Sequence, residues 1–173
     1  GDWIEASISS ISTMYPSIFD NDDYTSIVNE GHFQRLESYL EDAKNKGADV
    51  IEINPAKEDK SQRTHNKMMP TVVLKATDDM LVMQEEIFGP IMPVKTYSKI
   101  DQAVDYVNLH ERPLGLYYFG NQKAEEQFVM SNTISGGAAL NDVIFQFIQE
   151  EFFMFSLGHG FIFPSFGILL FGL

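Results

Sequence analysis

The sequence predicts an α/β fold with a parallel-sheet core in the order β-α-β-α-β. Between residues 91 and 140, runs rich in Ile, Val and Tyr alternate with amphipathic helical patterns, and the links between them are short. Such alternation favours a parallel sheet because each parallel pair of strands needs a crossover that returns the chain to the same edge. The 173 residues are 44% apolar, which is enough for the hydrophobic core of one domain.

The first half of the chain predicts a helix, a strand and a loop in succession. The helix covers residues 29–46 and is followed by Gly47, which can take the left-handed conformation that ends many helices. Its apolar face consists of Phe33, Leu36, Leu40 and Ala43, which recur at helical spacing. Residues 49–53 are a β-branched strand candidate that Pro55 ends, whereas residues 57–67 are polar and predict a solvated loop.

The second half begins with strand candidates at residues 71–74 and 91–97. A helix follows, in which Ser98 and Asp101 have the spacing of a capping box. The helix ends before Pro113. Its apolar stripe consists of Ile100, Ala103, Val104 and Val107.

A strand over residues 114–119 and a further helix come next. Asn121 can cap that helix, which runs through Met130. Its predicted inner face consists of Ala124, Phe128 and Val129. Residues 134–140 are the last strand candidate and complete the β-α-β-α-β order.

Charge and composition exclude several classes of function. Twelve Lys and Arg against 25 Asp and Glu give a net charge of −13, which repels a phosphate backbone, so we expect no nucleic-acid binding. The absence of Cys excludes disulfides, thiolate metal sites and a cysteine nucleophile within these residues. The chain opens with Gly-Asp-Trp and shows no signal-peptide pattern, from which we expect a cytoplasmic protein and a piece of a longer one.

Composition changes abruptly at Phe145. Residues 145–173 hold nine of the 14 Phe and contain no Lys or Arg. Residues 152–173 carry no formal charge and approach the roughly 20 residues that span a bilayer, but Gly and Pro interrupt them and we expect no membrane span. We interpret residues 145–173 as a divergent, Phe-rich apolar tail that is prone to association.

Side-chain spacing by itself supports neither a metal site nor a catalytic pair. The four His residues are too far apart in sequence to share one helix face, and we expect no bound metal. Asp20, Asp22 and Asp23 lack the later oxygen ligands of a calcium loop, so we expect a turn there. Glu85 and Glu86 are adjacent and point in different directions, which by spacing alone indicates a solvated strand end.

Residues 83–94, MQEEIFGPIMPV, change this interpretation. An acidic pair, an aromatic residue and a Gly-Pro turn stand directly before a strand, and the stretch resembles the signature of the aldehyde dehydrogenase superfamily. The similarity continues through residues 15–29 (YPSIFDNDDYTSIVN), 112–120 (RPLGLYYFG) and 135–144 (SGGAALNDVI), which are most like the coniferyl-aldehyde dehydrogenase branch. The resemblance implies that residues 1–144 belong to the C-terminal portion of the catalytic domain, truncated at the N-terminus.

The resemblance also implies a chemistry and a set of site residues. In this family an aldehyde is oxidised to the acid with NAD or NADP, through a catalytic Cys and a general-base Glu in motifs upstream of this chain. Glu86 matches the glutamate that binds the ribose hydroxyls beside the nicotinamide, and Phe88 matches the aromatic residue that packs near the nicotinamide. Asn141 matches an Asn at a strand end near the active site, with a structural or indirect role.

From these correspondences we expect no catalytic residue in this chain and no activity when it is alone. The family implies a homo-oligomer and a small aldehyde as substrate. A second hypothesis stays open, in which the acidic α/β body is a non-enzymatic module that binds a partner protein or a membrane through its apolar tail. Glu86 and Phe88 would then serve only strand entry and core packing.

Overall fold

The computed structural model describes residues 2–63, 65–143 and 168–171. The chain divides into two compact units, Gly1–Lys95 and Thr96–Leu173, and each unit contains a three-stranded sheet. The predicted α/β class with parallel strand pairs is confirmed. Hydrogen bonding nevertheless divides the strands of the expected β-α-β-α-β core between two sheets.

The first unit is built around a mixed sheet. Its elements are α1 (Asp2–Met14), α2 (Glu30–Asn45), β1 (Asp49–Glu52), a short 3-10 helix (Lys60–Gln62), β2 (Thr71–Leu74), α3 (Leu81–Gln84) and β3 (Ile91–Val94). The strand order is β1-β2-β3, with β1 antiparallel and β3 parallel to β2. Pro93 lies in β3, at the edge of this sheet, where a missing N–H group is tolerated.

Helix α2 has the apolar face that its spacing predicts. Phe33, Leu36, Leu40 and Ala43 are all buried, and Tyr39 joins them in a cluster with residues of β2, α3 and β3. Asn29 caps the helix, because its Oδ1 accepts a hydrogen bond of 2.9 Å from the His32 N–H. Gly47 follows the helix with a φ of +91°, as predicted.

The polar segment 57–67 is largely exposed, as predicted, but it is also anchored to the rest of the first unit. The Glu58 carboxylate accepts hydrogen bonds from the backbone N–H groups of Ile18 and Phe19, at 2.7 and 2.8 Å. Lys67 is only 7% exposed, and its ammonium donates to the Asn21 carbonyl at 2.6 Å. Charged side chains thus hold the segment through specific hydrogen bonds, which an analysis of apolar periodicity does not detect.

The second unit has an all-parallel sheet. Its elements are α4 (Ile100–Leu109), β4 (Gly115–Phe119), α5 (Lys123–Asn132), β5 (Gly137–Leu140) and β6 (Ile168–Phe171), and the strand order is β5-β4-β6. Strand β6 falls within the predicted tail, and the other residues of 144–173 lie outside the described part of the chain. The boundary predicted after residue 144 stays a prediction.

The core of the second unit confirms one predicted stripe and corrects another. Ala103, Val104 and Val107 of α4 are buried, and Ile100 packs against them. In α5, Val129 is fully buried and Phe128 partly so, whereas Ala124 is exposed instead of facing inward. The α5 hydrophobic face is therefore shifted toward the C-terminal end of the helix.

The helix caps of the second unit also differ from prediction. Lys99 rather than Ser98 is the N-cap residue of α4, and the Ser98 N–H donates to the Gln102 side chain at 2.9 Å. Gln122 rather than Asn121 is the N-cap residue of α5, without a side-chain cap bond. A residue caps a helix only where its own backbone angles allow it. When the first helical residue is one position away from the predicted one, a different residue therefore becomes the cap.

Helix α1 was not predicted. Its apolar residues Trp3, Ile4, Ile8 and Ile11 stand at helical spacing and are half-buried. Among the residues that the structure describes, no helix is long and apolar enough to cross a membrane.

Candidate functional site

The candidate site is the loop of residues 85–90, which connects α3 to β3. Glu85 ends α3, and its N–H donates to the Leu81 carbonyl at 3.0 Å. At the other end of the loop, the Pro90 carbonyl accepts a hydrogen bond of 2.8 Å from the Thr71 N–H at the start of β2. The loop is therefore tied to a helix at one end and to the sheet at the other.

Hydrogen bonds hold the backbone of Glu86, whereas its carboxylate can bind a ligand. Its carbonyl accepts a hydrogen bond of 2.7 Å from Arg35 Nη1, and the Ile87 carbonyl accepts one of 2.8 Å from Arg35 Nη2. Ile87 packs against the buried cluster of the first unit. Among the described residues, none donates a hydrogen bond to the half-buried Glu86 carboxylate, which can accept bonds from a ligand.

Phe88 lies in an unusual backbone conformation. Its φ is +48°, in the left-handed region that non-glycine residues seldom adopt, and its side chain is 67% exposed. The next residue, Gly89, approaches helix α2 so closely that an added Cβ would lie 2.4 Å from Leu36 Cδ1. An exposed aromatic residue held in a costly conformation is typical of a ligand-binding loop.

Asn141 joins the ends of two parallel strands in the second unit. It follows β5, and its Oδ1 accepts from the Gly120 N–H at 2.9 Å while its Nδ2 donates to the Gly120 carbonyl at 3.0 Å. Its own N–H donates to the Tyr118 carbonyl at 2.7 Å. The amide is therefore engaged with the backbone beyond β4, and the predicted structural or indirect role of Asn141 stays a prediction.

Of the three predicted site residues, the structure brings Glu86 and Phe88 together on one loop. Asn141 belongs to the other unit. The region of Asp20, Asp22 and Asp23 is a turn, in which the Asp23 N–H donates to the Asn21 side chain at 3.0 Å. Within the described ranges, no group of three or more His, Asp or Glu residues is arranged to hold a metal ion.

A polar stripe on α2 supports the candidate site and was missed in the sequence. Asp42 accepts a hydrogen bond of 2.8 Å from the Leu81 N–H at the start of α3 and one from Lys46 at 2.9 Å. The Leu81 bond and then the Lys46 bond hold the pKa of the Asp42 carboxyl below its usual value. Arg35, Tyr39, Asp42 and Lys46 recur at intervals of three and four, which is the signal that they share one helix face.

Comparison with known proteins identifies the family. The model of the aldehyde dehydrogenase family matches residues 4–155. Over 149 residues, or 86% of the chain, the sequence is 53% identical to a probable coniferyl aldehyde dehydrogenase of Caulobacter vibrioides and 46% identical to the coniferyl aldehyde dehydrogenase of a Pseudomonas species. The chain spans 31% of the length of each of these relatives.

Solved structures agree with these matches. The substrate-bound AldH of Staphylococcus aureus superposes with a TM-score of 0.73 at 31% identity, over 87% of this chain and 31% of that one. Aldehyde dehydrogenase C of Pseudomonas syringae, solved with NAD+ and octanal, matches with a TM-score of 0.60 at 26% identity, over 69% of this chain and 24% of that one. The resemblance seen in residues 83–94 is thus confirmed, and the chain belongs to the aldehyde dehydrogenase family.

Proposed function

We propose that this chain is a portion of an NAD(P)-dependent aldehyde dehydrogenase and carries its cofactor-contact loop. The observation behind the proposal is the loop of residues 85–90, whose backbone is held by α2 while the Glu86 carboxylate has no donor among the described residues. The names of the two coniferyl aldehyde dehydrogenase relatives support an aromatic aldehyde, such as coniferyl aldehyde, as the substrate that the whole enzyme oxidises to an acid.

The residues of the loop suit the cofactor. When bound, the nicotinamide group supplies the hydride acceptor. An ionised carboxylate is a strong acceptor, so Glu86 is suited to bind the hydroxyls of a ribose. The exposed ring of Phe88 offers an apolar surface for the nicotinamide end. In the second unit, Asn141 contributes indirectly, by holding the ends of β4 and β5 together.

We further propose that the chain by itself does not oxidise aldehydes. It contains no Cys, so it lacks the thiol on which this family forms its covalent adduct. It also spans only 31% of the length of its curated relatives, which supports the interpretation as part of a larger catalytic domain. We also propose that the whole enzyme is homo-oligomeric and cytoplasmic. The residues after 144 are proposed to form a divergent tail.

A chimaera tests the cofactor role. The matching 149 residues of the Caulobacter vibrioides relative are replaced by those of this chain, and the reduction of NAD with coniferyl aldehyde is followed by NADH absorbance. Glu86→Gln is expected to raise the KM for NAD about tenfold, because the neutral amide oxygen of Gln accepts a weaker hydrogen bond than an ionised carboxylate and one acceptor oxygen is removed. Glu85→Gln, the same change at the exposed neighbouring position, is the control and is expected to leave the KM unchanged.

Two results would contradict the proposal. A folded chimaera without activity would contradict the proposal that this segment can form part of a working catalytic domain. Equal KM values for the two Gln variants would contradict the proposed contact between Glu86 and the cofactor. The purified 173-residue chain, incubated with NAD and coniferyl aldehyde, is expected to show no NADH formation. A rise in absorbance that depends on the aldehyde would overturn the proposed inactivity.

A further inference from the structure

Arg35 makes an unusual set of contacts for a residue on the surface side of a helix. Its Nη1 donates to the Glu86 carbonyl at 2.7 Å and to the Tyr39 hydroxyl at 2.8 Å, and its Nη2 donates to the Ile87 carbonyl at 2.8 Å. The two carbonyls belong to consecutive residues of the candidate loop. One planar guanidinium thus joins α2 to the two peptide groups that flank Ile87, across 51 and 52 positions of sequence.

The guanidinium is also held from the side of the helix. The Arg35 Cζ lies 5.0 Å from the centre of the Tyr39 ring, one helical turn away, in a cation–π contact. The Arg35 Nε is buried and has no hydrogen-bond partner among the described residues. A buried donor without a partner is unfavourable, so the geometry of this side chain is set by its terminal nitrogens and their bonds to the loop.

The packing beside Arg35 strengthens the contact between α2 and the loop. Leu36, the next residue of the helix, is fully buried and lies against Gly89. The loop backbone is therefore held at Glu86 and Ile87 by hydrogen bonds and at Gly89 by van der Waals contact. Phe88, in its left-handed conformation, lies between these two points.

We infer that Arg35 is a positioning residue, which fixes the loop so that the Glu86 carboxylate and the Phe88 ring are held ready for the cofactor. This inference rests on the proposed function. Arg35 acts through the loop backbone and does not itself contact a ligand. A Lys at this position would keep the positive charge and the aliphatic stem, but one ammonium lacks the planar fork that binds two carbonyls at once.

Amide hydrogen exchange of the full 173-residue chain tests the inference without any nucleotide. Arg35→Lys is expected to speed exchange of the Ile91 amide, whose N–H donates to the Gly89 carbonyl of the loop at 2.9 Å, about tenfold, because the forked pair of charge-assisted hydrogen bonds to the loop is lost. Exchange in β2 is expected to stay unchanged. Arg112→Lys, at an exposed arginine, is the matched control and is expected to have no effect on exchange of the Ile91 amide.

Chemical rescue separates positioning from simple packing. In Arg35→Ala, added ethylguanidinium is expected to restore slow exchange of the Ile91 amide, whereas ethylammonium at the same concentration is not, because only the former has the forked donors. Unchanged exchange of the Ile91 amide in Arg35→Lys would overturn the inference, as would equal rescue by the two cations. The proposed function fails by a different result, equal KM values of the Glu86→Gln and Glu85→Gln chimaeras, so the two failures are distinguishable.

Discussion

At the scale of single residues, two of the described non-glycine residues with a left-handed backbone are candidate site residues, while three others, Lys57, His65 and Lys75, lie elsewhere. Phe88 and Asn141, both predicted from the resemblance, have positive φ angles of 48° and 53°. Asn tolerates this region because its short side chain can hydrogen-bond locally, and here it bonds to Gly120. A Phe side chain cannot accept or donate such hydrogen bonds, so the left-handed conformation of Phe88 is the less common of the two.

Tyr118 provides a test at the residue scale. The side chain is 1% exposed and its hydroxyl donates to Glu125 at 3.0 Å. Burial, and then the bond to Glu125, raise the pKa of Tyr118 to about 12. A tyrosine in the unfolded chain titrates near pH 10, so the stabilising contribution of the neutral form is present below about pH 10 and is lost as the pH rises toward 12.

We therefore predict that Tyr118→Phe lowers the free energy of unfolding by about 1 kcal/mol at pH 7, because one partly buried hydrogen bond is lost. The difference between the variant and the wild type is expected to shrink above about pH 10. There the tyrosine of the unfolded chain ionises, which favours unfolding of the wild type. Urea unfolding at pH 7 and at pH 11 measures both values. A difference that is the same at the two pH values would contradict the assignment.

At the scale of elements, α2 organises the first unit. Its apolar face forms the core, and its polar stripe holds the start of α3 through Asp42 and the following loop through Arg35. The apolar face could be predicted from periodicity because hydrophobic burial follows the helical repeat. The partners of the polar stripe could not, because they lie about 40 to 50 positions away in sequence and depend on how the segments pack.

Asp42 provides a test at the element scale. Its pKa is lowered in the folded protein, so its contribution is present above the unfolded value near pH 3.9 and is lost as the pH falls through the folded value. We predict that Asp42→Asn lowers the Tm at pH 7, and that the difference from the wild type shrinks below about pH 4. Thermal unfolding at pH 7, 5 and 3 measures this trend.

The matched control for this variant is Asp49→Asn. Asp49 pairs with Lys75 at 2.7 Å, but both side chains are largely exposed, so the pair adds little to stability. We expect the Tm of this control to match that of the wild type at each pH. An equal drop in Tm at pH 7 in the two variants would show that the hydrogen bond between Asp42 and α3 contributes no more to stability than the exposed pair of Asp49 and Lys75.

At the scale of the whole molecule, each unit has a hydrophobic cluster of its own. The cluster of the first unit includes Leu36, which is fully buried, and that of the second includes Val129, also fully buried. Each cluster joins helices to its own sheet. The expectation of one continuous parallel core did not anticipate this division, because strand order does not specify which strands pair.

A core substitution tests the separation of the two clusters. Leu36→Ala is expected to lower the free energy of opening reported by the amides of β2 by about 2–5 kcal/mol, because a buried side chain is replaced by a cavity. The amides of β4 are expected to change much less. Leu109→Ala, at a side chain that is 82% exposed, is the control and is expected to change either value by less than about 0.5 kcal/mol.

Native-state amide exchange reports both strands in one experiment. An equal loss of protection in β2 and β4 would contradict separate clusters and indicate one cooperative core. A loss confined to β2 would agree with the division of the chain into two compact units.

The sequence by itself determined the α/β class, the apolar faces of α2 and α4 and the family, because these depend on local periodicity and on a contiguous motif. The resemblance also pointed to Glu86 and Phe88 as neighbouring candidate residues, and their role at a cofactor site stays a proposal. Only the tertiary structure decided the antiparallel pairing of β1, the anchoring of residues 57–67 and the contacts of Arg35 with the loop. Each of these depends on hydrogen bonds between residues far apart in sequence, whose partners become defined only when the segments pack together.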